Sequence, residues 1–138
     1  MKELKNYIVE ALKINSKSRI VKTNQIKLSE FAKTLFHLFR LSDEYSLKLT
    51  EVFPHLPKCP KTIEKRFNYK NAYIFDIEPA FDDEIDEYII KVCFDVTGET
   101  FKKFVWCSDD EFFNEIFNKE QIEKLYDYIA EKYKFYNK

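Results

Sequence analysis

The order of periodicities along this chain predicts an α+β fold: N-terminal helices, then a three-stranded antiparallel meander, then two C-terminal helices packed on the sheet. Three observations lead there. Apolar residues recur at helical spacing before Phe53 and after Ser108, and between Tyr73 and Cys107 they alternate along the chain. The chain's single glycine, Gly98, falls between two alternating runs, where a hairpin turn demands positive φ. Its 138 residues, 45% hydrophobic and 17% aromatic, suffice for one ring-rich core without disulfides or metals.

In the opening segment Leu4, Tyr7, Ile8, Ala11 and Leu12 keep helical spacing until Asn15-Ser16-Lys17-Ser18 ends the pattern with turn-forming side chains. The stretch from Arg19 to Lys27 fits a short strand or an extended connector, and the pattern leaves that open. Ser29 suits an N-cap for a second helix. Its stripe of Leu28, Phe31, Ala32, Leu35 and Phe39 is widened by Phe36, Leu38 and Leu41 beyond a normal surface helix, which makes it either central to the fold or part of an interface. Ser42-Asp43-Glu44 starts a third helix reaching Phe53, with acidic groups at its positive end, and Pro54 stops it. Prolines at 54, 57 and 60 have the period of a polyproline II turn.

Tyr73 to Ile77 reads as a strand, Glu78 to Glu87 as an acidic connection, and Tyr88 to Val96 as a longer strand. Thr97-Gly98-Glu99 turns the chain and Thr100 to Cys107 returns. Ser108-Asp109-Asp110-Glu111 reads as a capping box before Phe112, Phe113, Ile116 and Phe117, and Asn118-Lys119-Glu120-Gln121 repeats the device before a clean stripe of Ile122, Leu125, Tyr126, Ile129, Ala130 and Tyr133. Residues 1–138 thus read as one domain, with a helical part at 1–53, a Pro/basic connector at 54–70, the meander at 71–107 and a second helical part at 108–138.

A lone glycine excludes several function classes. Phosphate-cradling loops, dinucleotide fingerprints and strained nucleophile elbows each need glycines at fixed offsets, because only a residue without Cβ lets the backbone turn or approach a ligand that closely. No run reaches the ~20 apolar residues of a membrane span, and the start of the chain lacks a signal peptide's apolar stretch, so an intracellular site is expected, in a host cytoplasm or a virion. Cys59, Cys93 and Cys107 are odd in number and without paired spacing, as reduced packing thiols are. The net charge of −1 hides a division: residues 1–70 carry 15 basic against 7 acidic groups, residues 76–111 carry 3 against 12, and residues 112–138 carry 5 against 5. Such a chain either folds its two halves together or shows partners two opposite surfaces.

Candidate chemistry is sparse. His37, His55 and the three cysteines lack the close-spaced pairs of a zinc site, and no Cys-His nucleophilic pair is set up, so neither metal nor cofactor nor catalytic residue is expected. Asp82, Asp83, Glu84, Asp86 and Glu87 lack a calcium loop's ligand spacing and read as a solvated loop or an electrostatic contact surface. Lys61, Lys65, Arg66 and Lys70, interleaved with Phe67 and Tyr69, have the composition of a single-stranded nucleic-acid platform, weighed against a plain solvated basic face. Phe36, Leu38 and Leu41 are the candidates for an apolar interface, with a protein partner or a second copy of the chain.

The run Leu4-Lys5-Asn6-Tyr7-Ile8-Val9-Glu10-Ala11-Leu12-Lys13-Ile14-Asn15-Ser16-Lys17-Ser18-Arg19-Ile20 resembles a short leader found ahead of otherwise dissimilar proteins of Bacteroidetes bacteriophages, crAss-like gut phages included. The resemblance implies a phage or prophage protein with a shared docking or packaging address. It implies nothing about the activity of the rest. The expectation is therefore a small non-enzymatic phage-associated protein that acts through protein contacts, as a virion or assembly component or an accessory factor. The alternatives are an acidic, nucleic-acid-mimicking inhibitor of a host nuclease or defence protein, and an unrecognised hydrolase or nuclease.

Overall fold

The computed structural model describes residues 27–134. The helix expected at Leu4–Leu12, the leader and the open segment before Lys27 lie outside them. The fold is α+β. Its elements are α1 (Leu28–Ser42), β1 (Leu47–Lys48), a 3-10 turn (Leu49–Glu51), α2 (Lys61–Phe67), β2 (Ala72–Asp82), β3 (Glu87–Val96), β4 (Lys103–Cys107), α3 (Asp110–Ile116) and α4 (Lys119–Lys132). The sheet is antiparallel in the order β1-β2-β3-β4, so the expected meander gains a fourth, very short strand.

The wide apolar helix is central. One flank of α1 packs on β2 and β3. Another meets the C-terminal helices, where the Phe31 ring lies 5.4 Å from Phe113 and 5.1 Å from Tyr126, and Phe39 lies 6.3 Å from Tyr133. Two flanks of contact need more apolar positions than a single stripe supplies, which is why the helix carries them. It starts one residue before the expected cap: Lys27 holds the N-cap position, and the Leu28 N–H donates instead to Asp110 Oδ1 at 2.7 Å, so α3 caps α1 across the fold. Ser29 lies inside the first turn.

The helix expected from Ser42 to Phe53 does not form. Asp43 takes the left-handed conformation, φ 58°, and the Ser42 hydroxyl donates to the Leu38 carbonyl, closing α1. Leu47 then pairs with Ile77 and Lys48 with Asp76. Leu47 from β1 and Leu49 from the 3-10 turn are both fully buried, and sheet pairing overrides the helical pattern. The expected connector at 54–70 holds α2, whose Glu64 accepts from the Ala72 N–H and so ties the helix to the start of β2.

β2 is more than twice the length expected, because most of the acidic connection is strand; only residues 83–86 lie between β2 and β3. A bulge at Phe75 shifts the register, with Ile74 opposite Phe94 but Asp76 opposite Cys93. Before it, Ala72 and Ile74 face the core; after it, Ile77 does. The bulge therefore turns Asp76 and Glu78 to the opposite, outer face of the sheet. Pro79 has no N–H to give and sits where the outer edge of β2 runs on past the two residues that β1 covers.

Gly98 has φ +86° in the turn after β3, as the hairpin requires. Asp109, rather than Ser108, caps α3 by accepting from the Phe112 N–H at 2.8 Å, and Asn118 and Gln121 form the expected capping box of α4.

Candidate functional surface

Alternation from the bulge onward divides the sheet into two faces. Val92, Phe94, Val105 and Cys107 join the core beneath α1. Lys48 of β1, Asp76, Glu78, Ala80 and Asp82 of β2, Glu87, Ile89, Lys91 and Cys93 of β3, and Phe104 and Trp106 of β4 share the other face by register. On β4 the Phe104 and Trp106 rings meet edge to face at 5.9 Å and remain 49% and 52% exposed. The Lys91 ammonium lies 4.5 Å from the Phe104 centroid and 5.9 Å from that of Trp106. Lys102 sits over Phe75 at 5.0 Å and pairs with Asp95 at 3.2 Å. Among the described residues β4 pairs with β3 alone and so has a free edge.

The acidic candidates come together at one end of this face. Asp82 and Glu87 are cross-strand partners, and Asp83, Glu84 and Asp86 occupy the hairpin tip between them. Local chemistry explains part of the pattern: Asp82 Oδ1 accepts from the Glu84 N–H at 3.0 Å, and Asp86 takes φ 56°. The remaining charge is solvent-facing, beside an Ile85 that is 48% exposed.

Of the three residues expected to form an apolar interface on α1, the structure withdraws Leu38. Leu38 is fully buried in the core, a consequence of the helix's central place, and Phe36 packs edge to face on Tyr88 at 5.3 Å and His37 at 5.6 Å. Phe36 stays partly exposed and Leu41 is half exposed. The residues of the expected nucleic-acid platform are partly engaged with one another and with the fold. Phe67 stacks on Tyr69 at 5.7 Å, Tyr69 leans on Phe94 at 5.4 Å, and Arg66 is held by both oxygens of Glu115 at 3.2 and 3.1 Å. Phe67 nonetheless stays 37% exposed and Tyr69 half-buried, beside the exposed Lys61, Lys65 and Lys70.

His37 Nε2 lies 3.3 Å from the Tyr88 hydroxyl. Burial first, then the charges of Lys33 and Arg40, hold its pKa below the ordinary value. Burial pushes the Cys59 and Cys107 thiols up to about 12 and Cys93 to about 11, which disarms them as nucleophiles. Cys93 faces outward opposite Phe104 and Cys107 faces the core opposite Ile90, so they do not meet.

Sequence reasoning missed Phe104 and Trp106. The signal was present: in Phe104-Val105-Trp106-Cys107 both faces of the strand are apolar, although only one can face the core. No helix among the described residues is long and apolar enough to cross a membrane. The fold and surface thus define an α+β domain with an aromatic and acidic outer sheet face. Compared with models of known families, with curated proteins and with solved structures, the chain matches none of them.

Proposed function

We propose that this chain is a small non-enzymatic protein that works by binding another protein through the outer face of its sheet, in a phage setting as a virion or assembly component or accessory factor. The observation that carries this reading is the pair of half-exposed rings, Phe104 and Trp106, on a strand whose outer edge is unpaired among the described residues, on the same sheet face as a row of carboxylates. Large rings are the side chains that supply most binding energy at protein interfaces, and a free edge offers backbone hydrogen bonds as well. The carboxylates select the partner's chemistry: an apolar patch rimmed by lysine or arginine. The phage setting rests on the leader resemblance at Leu4–Ile20. Its test is recovery of partners by the intact protein and by Trp106→Ala. A partner held equally by both refutes the reading.

A second reading is favoured by the hairpin tip, where five carboxylates fall within six residues. Such a tip can take the place of nucleic acid in a nuclease or defence protein. Neutralising Asp82, Asp83, Glu84, Asp86 and Glu87 to their amides then abolishes inhibition of that enzyme, and unchanged inhibition refutes it.

A further inference from the structure

We propose that Asp76, Glu78 and Cys93 form a binding site for a divalent cation of the zinc class on the outer face of the sheet. The bulge at Phe75 creates it: by shifting the register it sets Asp76 directly across from Cys93, and strand alternation sets Glu78 on the same face two residues on. One donor atom from each of the three, two carboxylate oxygens and a sulfur, lies within 4.8 Å of the others.

An unsatisfied atom points to the ligand. Asp76 is only 8% exposed, and its Oδ1 is buried with no hydrogen-bond partner, while Ser46 and the Ile77 N–H serve the carboxyl group. A buried carboxylate oxygen left unpaired is costly, and a cation seated between Asp76, Glu78 and Cys93 removes that cost. The donor set selects the ion. Calcium and magnesium take oxygen alone, whereas a sulfur with two carboxylates suits a borderline ion such as Zn²⁺ or Co²⁺. Tetrahedral zinc, with bonds of about 2.3 Å to sulfur and 2.0–2.2 Å to oxygen, holds its donors about 3.5 Å apart. From separations of at most 4.8 Å, reaching that value needs a shift of no more than about 1.3 Å, within reach of the half-buried Glu78 side chain. Solvent takes the fourth position.

Two cations face the site. Lys48 stands across from Asp76 on β1 and is exposed; Lys91 stands across from Glu78, with its ammonium over Phe104. Both oppose a second positive charge, and the metal must also displace the proton of a Cys93 thiol that burial holds at about 11; together these set the expected affinity on the order of micromolar rather than nanomolar. On binding, the Cys93 S–H bond breaks, its proton goes to solvent and the sulfur lone pair forms the metal bond, one proton released per ion.

The test is a titration of the reduced, full-length protein with Co²⁺, followed in the near ultraviolet, where a cobalt–thiolate bond gives a charge-transfer band. A band saturating at one ion per chain and abolished by added Zn²⁺ is expected. Cys93→Ser should lose it, Asp76→Asn should weaken Co²⁺ binding at least about tenfold, and Cys59→Ser should leave it intact. No band up to millimolar Co²⁺ in the unmutated protein overturns the proposal, as does a band that persists in Cys93→Ser. So does binding lost only when the tip carboxylates at 82–87 are neutralised. Failure here leaves the protein-contact reading untouched, because that reading rests on Phe104 and Trp106.

Discussion

Replacing Leu38 by alanine should destabilise the protein by about 3–4 kcal/mol, whereas Leu41→Ala should cost under about 1 kcal/mol. The sequence gives both residues the same status on one widened stripe; the structure separates them, Leu38 fully buried and Leu41 50% exposed. The larger figure follows from burial. Truncation removes the equivalent of about three methylenes at about 0.8 kcal/mol each, and the cavity left in the core adds about 1 kcal/mol more because a packed core relaxes only in part. Urea unfolding followed by circular dichroism reads the difference as a fall in midpoint at constant slope. A loss below about 1 kcal/mol at Leu38, or equal losses at both positions, would refute the placement of α1 at the centre of the fold.

Other expectations follow from single contacts. Burial raises the Glu44 pKa, but hydrogen bonds from Lys132, Tyr133 and Ser42 outweigh it and hold the carboxyl below its ordinary value. A depressed carboxylate pKa contributes stability that is present above the unfolded pKa near ~4.3 and is lost as pH falls through the folded value. Glu44→Gln should therefore lower stability at pH 7 and flatten the acid limb below about pH 4.5; an unchanged limb would show that the network is not formed. Gly98→Ala meets no atom within 4 Å of its new Cβ yet must hold φ +86°, so thermal melting should show a loss of about 1 kcal/mol from backbone strain alone. Burial of Cys59, Cys93 and Cys107 predicts that a thiol reagent modifies the native chain at least about a hundredfold more slowly than the urea-unfolded one. Fast modification of one thiol in the native state would contradict that burial.

Much of the fold was legible where local chemistry and tertiary structure agree. Gly98, the Asn118–Gln121 capping box and the α4 stripe belong to that group, since each is fixed by residues within a few positions. The failures are long-range. Ser42 to Phe53 has helix-start residues, but Leu47 pairs with Ile77, thirty residues away, and no local signal announces that. The Phe75 bulge is equally silent: Tyr73, Phe75 and Ile77 alternate cleanly, yet Ile74 and Ile77 are the residues that face the core. The glycine count also meant less for turns than for ligands. Asp43, Asn68, Asn71 and Asp86 hold positive φ in glycine's place, which lets a chain with one glycine still make tight turns. On the surface, the acidic cluster was legible as consecutive residues, whereas the Phe104–Trp106 ridge depends on knowing which face α1 covers.

The outer sheet face is proposed to bind a protein. The most direct test is quantitative partner recovery from natively expressing cells, comparing the unmutated chain with Phe104→Ala/Trp106→Ala after both are shown to melt alike. A stoichiometric partner is expected with the unmutated chain, and at least about a thirtyfold loss of affinity with the double variant, the effect of removing a ring hot spot worth about 2 kcal/mol or more. A partner retained equally by both, or a monodisperse monomer that recovers none, would contradict it.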